Sequence, residues 1–226
     1  VGAALAKRRS GQASARKGEI MNYLKVLRLA AMAAATLTAI VGVPSAHAVP
    51  KEFHANGAVA LSGVMINSHV FTLTGGSVNC NNVTFSGTAA AGGTKETQNM
   101  VPEYKNCKAF GFINAVVNTA GCEYEFTANL ATMNLHGCNN GGINIVVAGC
   151  SSFVPNQAGI NGITYANTGV APNRTLDVKT ASNNIEANVT EANLFGCPLT
   201  AGGKHNNATY NGETGVMGAA GETFIE

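Results

Sequence analysis

All six cysteines of this chain (Cys80, Cys107, Cys122, Cys138, Cys150 and Cys197) lie beyond residues 21–48, which read as a secretory signal peptide. Lys25 and Arg28 give that segment a basic start, 29–43 an apolar core, and Ala46-His47-Ala48 small residues at the −3 and −1 positions of a cleavage site. Such a signal delivers every cysteine to an oxidising compartment, where an even count reads as a disulfide framework. Up to three bridges are then expected, with fifteen possible connectivities. Any fold the chain adopts must bring those sulfurs together in pairs.

The apolar core is too short for the roughly 20 residues that a membrane-spanning helix needs, and Thr36, Thr38 and Pro44 break it. Cleavage is expected between Ala48 and Val49. Residues 1–20 place Arg8, Arg9, Arg16 and Lys17 too far ahead of the core for an ordinary signal. They read as an upstream extension before a true start at Met21, because Lys17-Gly18-Glu19-Ile20 is encodable by the purine-rich run of a bacterial ribosome-binding site. The alternative is a long basic n-region. Residues 49–226 remain as a single exported domain, long enough to bury roughly 70% of its unfolded surface.

Removing the leader inverts the charge. The full sequence carries a formal +2, but residues 49–226 hold seven basic and eleven acidic residues, a formal −4. Nucleic-acid binding needs a basic patch, and nothing here supplies one. Gly, Asn, Thr, Ala and Val dominate this region, Leu is sparse and Trp is absent. Asn and Gly favour turns, while Val, Ile, Thr, Tyr and Phe favour strands.

Period-two alternation is clearest over 123–130, with Tyr124, Phe126, Ala128 and Leu130 on one face and Glu123, Glu125, Thr127 and Asn129 on the other. Further strands are expected at 53–66 (as a strand pair), 69–73, 77–87, 102–108, 113–117, 143–147, 163–167, 176–180, 185–189, 208–212 and 214–218. Thr74-Gly75-Gly76 and Asn139-Asn140-Gly141-Gly142 are turn signals. No amphipathic helix follows residue 48. The fold class is all-β: a β-sandwich or Greek-key barrel of about ten short antiparallel strands, after an N-terminal signal helix.

Ile113-Asn114-Ala115-Val116-Val117 before Gly121-Cys122 resembles Ile143-Asn144-Ile145-Val146-Val147 before Gly149-Cys150, each with a cysteine upstream. The simplest pairing from this repeat is Cys107–Cys122, Cys138–Cys150 and Cys80–Cys197. An unbroken six-residue strand covers about 20 Å, however, and bridged Cα atoms lie within about 7 Å. Both short loops would have to double back.

Catalytic chemistry is thin. Asp177 is the one aspartate after residue 48, on a strand whose alternation turns it to solvent; a Ser–His–Asp triad would have to use it. His54, His69, His136 and His205 are widely separated, and no HExxH, GxSxG or phosphate-loop motif occurs. His136 beside Cys138 reads as a surface turn residue rather than a metal ligand, and no C-x2-C pair suggests zinc. Glu123 and Glu125 share a strand face, as a glycosidase pair would, but a solvated face is the simpler reading. Tyr104, Tyr124, Tyr165 and Tyr210 read as core or strand residues. Acceptor patterns at Asn82, Asn173, Asn188 and Asn207 are expected by chance in so Asn- and Thr-rich a chain. No catalytic, cofactor or metal residue is therefore assigned, and no cofactor is expected. The six cysteines are the one set of site candidates. No lipoprotein cysteine stands at the cleavage site and no sorting motif at the end, so a released or periplasmic product is expected.

Val83-Thr84-Phe85-Ser86-Gly87-Thr88, Tyr104-x-x-Cys107-x-x-Phe110-Gly111, Gly121-Cys122-x-Tyr124-x-Phe126 and Ile163-Thr164-Tyr165-Ala166-Asn167-Thr168-Gly169 with Arg174 and Leu176 resemble a group of uncharacterised small exported bacterial proteins. The resemblance implies export and β-structure and points to no catalytic residue. The expected role is that of an exported, non-enzymatic β-domain with a structural or binding role at the cell surface or outside the cell, possible self-association included. No nucleic acid and no stable membrane anchor are expected. The alternatives are a ligand-binding β-barrel or lectin-like module, which needs a concave apolar or aromatic site, and a secreted hydrolase. A pocket gathering Glu123, Glu125 or a histidine of strongly shifted pKa would speak against the non-enzymatic reading.

Overall fold

The computed structural model describes residues 50–90, 92–192, 197, 202–219 and 221–226; the expected upstream extension, 1–20, and the expected signal segment, 21–48, lie outside the described residues. In chain order the strands are β1 (Phe53–Ala55), β2 (Ala60–Leu73), β3 (Gly76–Thr88), β4 (Thr94–Lys95), β5 (Thr97–Ala109), β6 (Ile113–Asn118), β7 (Glu123–Thr127) and β8 (Thr132–His136). They continue with β9 (Gly142–Val147), β10 (Cys150–Pro155), β11 (Gln157–Ile160), β12 (Ile163–Thr168), β13 (Thr175–Ala192), β14 (Lys204–Gly218) and β15 (Thr223–Ile225). No helix occurs among the described residues.

Eight strands close a barrel. Following hydrogen-bonded neighbours gives β2, β3, β5, β6, β9, β10, β13, β14 and β2 again, every pair antiparallel. The ring follows chain order, which is an up-and-down connectivity, and closure removes the exposed edges that an open sheet leaves. A barrel, rather than the sandwich, is thus the all-β architecture this sequence adopts, with sequential connections in place of the expected Greek key.

Alternation sets what faces inward. In β13, Leu176, Val178 and Thr180 are buried while Asp177 and Lys179 turn outward. Asn81, Asn82, Thr84 and Ser86 of β3 and Glu103 and Lys105 of β5 are exposed or half-buried on the outside. The outer face is mixed, since Val64, Ile66, Val101, Val116, Val146 and Met217 are exposed on it as well.

The long strands outrun the ring. The first part of β5 pairs with β7 (Thr97↔Thr127 to Met100↔Tyr124), which carries β8 and β11. The first part of β13 pairs with β12. Over this end lies a separate sheet in the order β15-β1-β4. It is tied down by Asn167, whose side-chain amide donates to the Ile225 carbonyl and accepts from the Ile225 N–H. Phe53 meets the edge of Tyr165 at 5.2 Å, and Arg174 forms a two-pronged pair with Glu222 while lying over the Phe224 ring at 3.5 Å.

Several expected boundaries shift. Residues 176–180 and 185–189 are parts of the one strand β13, and 208–212 and 214–218 parts of β14; slips in register, not turns, interrupt them. Residues 53–66 form no strand pair, because β1 belongs to the end sheet. The strand from Glu123 ends at Thr127; the expected alternation holds as far as the buried Ala128 and fails at Leu130, which is 72% exposed in the β7–β8 turn.

The disulfides are Cys80–Cys107, Cys122–Cys138 and Cys150–Cys197. The repeat-based pairing is therefore overturned. Each apolar segment lies against one of its flanking cysteines, Ala115 opposite Cys107 and Val147 opposite Cys150, but carries the other one away. β6 pairs with β5 and β9, and β9 with β10 and β6, so each leads its chain a strand's length away. Cys80 and Cys107 instead stand opposite each other in the β3–β5 ladder, their Cα atoms 4.0 Å apart. Cys122 and Cys138 flank the β7–β8 hairpin, 3.9 Å apart. These bridges fit an oxidising, extracellular-type environment.

Candidate functional site

The lumen is crossed by a polar partition. His69 of β2 is 3% exposed, and its Nδ1 lies 2.5 Å from the Tyr210 hydroxyl of β14. Tyr210 meets the Tyr104 hydroxyl of β5 at 2.7 Å, and Tyr104 meets Tyr124 of β7 at 2.8 Å. On its other side His69 Nε2 is 3.1 Å from Thr214 Oγ1. One orientation gives the imidazole N–H and all three phenols an acceptor. With Nε2 protonated, Tyr210 donates to Nδ1, Tyr104 donates to Tyr210, and Tyr124 donates to Tyr104. The tautomer follows from this network. Phe85 of β3 packs against His69, Tyr104 and Tyr124, with ring centroids 5.7 to 6.5 Å apart.

Local backbone irregularity puts His69 there. The β2–β3 register slips between Val64 and His69, and the β2–β14 register slips around Glu213. Bulges re-aim side chains and bend strands. Gly212 of β14 completes the arrangement: a Cβ at that position would stand 2.4 Å from His69 Nδ1. Burial drives the His69 pKa down to about 4, against a hydrogen bond to the Glu213 backbone that works the other way. Burial likewise pushes Tyr124 up to about 12 and Tyr104 and Tyr210 well above the ordinary phenol value. The partition is thus uncharged at neutral pH.

On either side of this wall the lumen is hollow. The upper chamber has Leu61, Phe85, Met100, Phe126, Val178 and Val216 as walls and Phe53 and Tyr165 towards the end sheet, with His69, Tyr124 and Tyr210 as its floor. Its rim carries His54, Thr94, Lys95 and Gln98. A lower chamber is lined by Phe71, Val78, Met133, Leu135, Ile145 and Ile185, with the same three partition residues. The volumes open to the centre of a water molecule are about 40 and 50 Å³. That is room for a few waters or a small organic molecule.

The residues singled out from sequence fall elsewhere. Asp177 is on the outer face of β13, far from any triad role with the inward His69. Glu123 accepts from Asn99 and Glu125 from Asn134, on the outward face of β7. Glu125, Asn134, His136 and Gln157 do share a shallow surface depression. His136 is not a turn residue but the last residue of β8, with Nε2 buried and unpartnered. His54 stacks on Phe224 at 4.8 Å and meets Thr94 Oγ1, and His205 lies in β14. Tyr104, Tyr124, Tyr165 and Tyr210 are all strand residues, as expected. The convergence of Tyr104, Tyr124 and Tyr210 on His69 carries no sequence signal, because it needs the ring closed between positions 69 and 210. Among the described residues no group of three or more His, Cys, Asp or Glu is placed to hold a metal.

The fold and lumen define an up-and-down antiparallel barrel with a partitioned apolar interior. Comparison with protein-family models, with curated proteins and with solved structures finds no match for this chain.

Proposed function

We propose that this protein is an exported, non-enzymatic β-barrel that works by binding, and that it holds a small apolar molecule in its upper chamber. One observation carries the reading: an apolar-walled hollow inside a closed ring. Protein interiors are packed like organic crystals, with few voids larger than a water molecule. Apolar cavities of this kind stay dry and take up small apolar guests. The signal-like segment 21–48 and the three disulfides support export.

His69 meets the description of a pocket histidine with a strongly shifted pKa. Its chemistry still favours binding. A general base works best with a pKa near the operating pH, and a ring at about 4 with both nitrogens engaged accepts a proton poorly at neutral pH. Neither a carboxylate nor a cation belongs to its network.

Thermal unfolding with benzene and toluene, together with xenon NMR, tests the reading. The expected result is a concentration-dependent rise in Tm, lost in Val216→Phe and in Ala89→Leu, which fill the chamber and its rim. Absence of any shift with all three guests in the wild type would sink it.

A further inference from the structure

From the rim of the upper chamber we infer the class of ligand: a small monocarboxylate with a short acyl or single-ring body, its apolar part in the chamber and its carboxylate on Lys95. This rests on the binding role proposed above and names what is bound. Among the residues lining the chamber, Thr223 has a buried hydroxyl without a hydrogen-bond partner. Inside, the partition satisfies itself: His69, Tyr210, Tyr104 and Tyr124 form one continuous hydrogen-bonded run. It therefore requires nothing polar from the buried end of a ligand.

At the rim nearly every group is also taken. His54 Nδ1 meets Thr94 Oγ1, and its Nε2 lies 3.7 Å from the Glu226 carboxylate. The Gln98 amide nitrogen donates to the carbonyls of Thr88 and Asn99. Lys95 is different. It is exposed, its backbone is held opposite Phe53 in the β1–β4 ladder, and among the described residues its ammonium has no ion pair or hydrogen bond. The uncommitted charged group at the mouth of a largely apolar chamber is thus a cation on a fixed strand. An apolar body ending in an anion complements both, and the small volume excludes a long chain.

Calorimetric titration with matched series of alkanoates, alcohols and alkylammonium ions, from butyl to octyl, plus benzoate and benzyl alcohol, tests this. The carboxylate that fits is expected to bind about fivefold or more tightly than its alcohol, with the ammonium weakest, a margin in the range of a solvent-screened ion pair. Lys95→Met should erase that ratio while leaving alcohol affinity unchanged; Lys95→Arg should keep it; raised salt should shrink it. Equal binding of acid and alcohol in the wild type, or a ratio that survives Lys95→Met, overturns the inference. If alcohols or benzene bind while no carboxylate does, the ligand class falls and the binding role stands. If nothing binds, both fall.

Discussion

Gly212 leaves open the space that the His69 ring fills, and the fit is close enough for one methyl group to be felt. Gly212→Ala would place a carbon 2.4 to 2.7 Å from three ring atoms. It is expected to lower stability by about 1–3 kcal/mol in urea unfolding, as overpacking does. His69 also makes stability depend on acidity. Its folded pKa of about 4 lies below the 6.5 of the unfolded chain, so between those values the unfolded chain binds more protons and stability rises with pH. The contribution is complete above about pH 6.5 and drains as pH falls toward 4, a loss on the order of 3 kcal/mol. His69→Gln should be less stable throughout but flatter across this window, as measured by the midpoint of unfolding against pH. Tyr104 holds the middle of the phenol chain. Tyr104→Phe leaves the Tyr124 donor without its acceptor, at about 1–3 kcal/mol, and should cost more than Tyr124→Phe, which removes only an end.

At the level of elements, β15 depends on contacts that are few and mostly polar. Arg174 holds the Glu222 carboxyl below the usual carboxylate range and covers Phe224, while Asn167 acts as a substitute strand edge. Glu222→Gln should raise hydrogen exchange at the β15 amides without changing exchange in β13 or β14. The same loosening should appear in the wild type at acid pH, since a lowered carboxylate pKa gives stability that is lost as pH falls through it. These elements also show how far the sequence can be read. Tyr124 and Phe126 alternate with glutamates, so β7 and its buried face are legible. β13 is not legible as one strand, because Asn183-Asn184 looks like a turn and is instead a bulge, with Asn184 at φ 57°. Local residue types do not tell a bulge from a turn when the strand partner decides. The partition and chamber were hidden for a similar reason: the partition alone joins side chains from four strands, β2, β5, β7 and β14, that only the closed ring brings together.

For the whole molecule, the three bridges enclose sequence separations of 27, 16 and 47 residues. In the chain-entropy model each contributes about 3–4 kcal/mol, the largest share from the longest loop. Cys150→Ser with Cys197→Ser should therefore cost the most, measured as loss of unfolding free energy, and mapping of unreduced peptides should recover the three pairs. Such a framework suits a barrel whose ring must be joined across nearly its full length.

That seam has a consequence for the order of events during synthesis. β2, near the start of the domain, pairs with β14, and β1 pairs with β15, where Glu52 and Glu226 exchange backbone hydrogen bonds. No nascent chain emerging from its N-terminus holds both partners until almost all of it is out. β2 must wait with an unpaired edge through the appearance of seven ring strands. Ring closure then waits for β14 to emerge, and its rate should follow the search of β14 for β2 rather than any local hairpin.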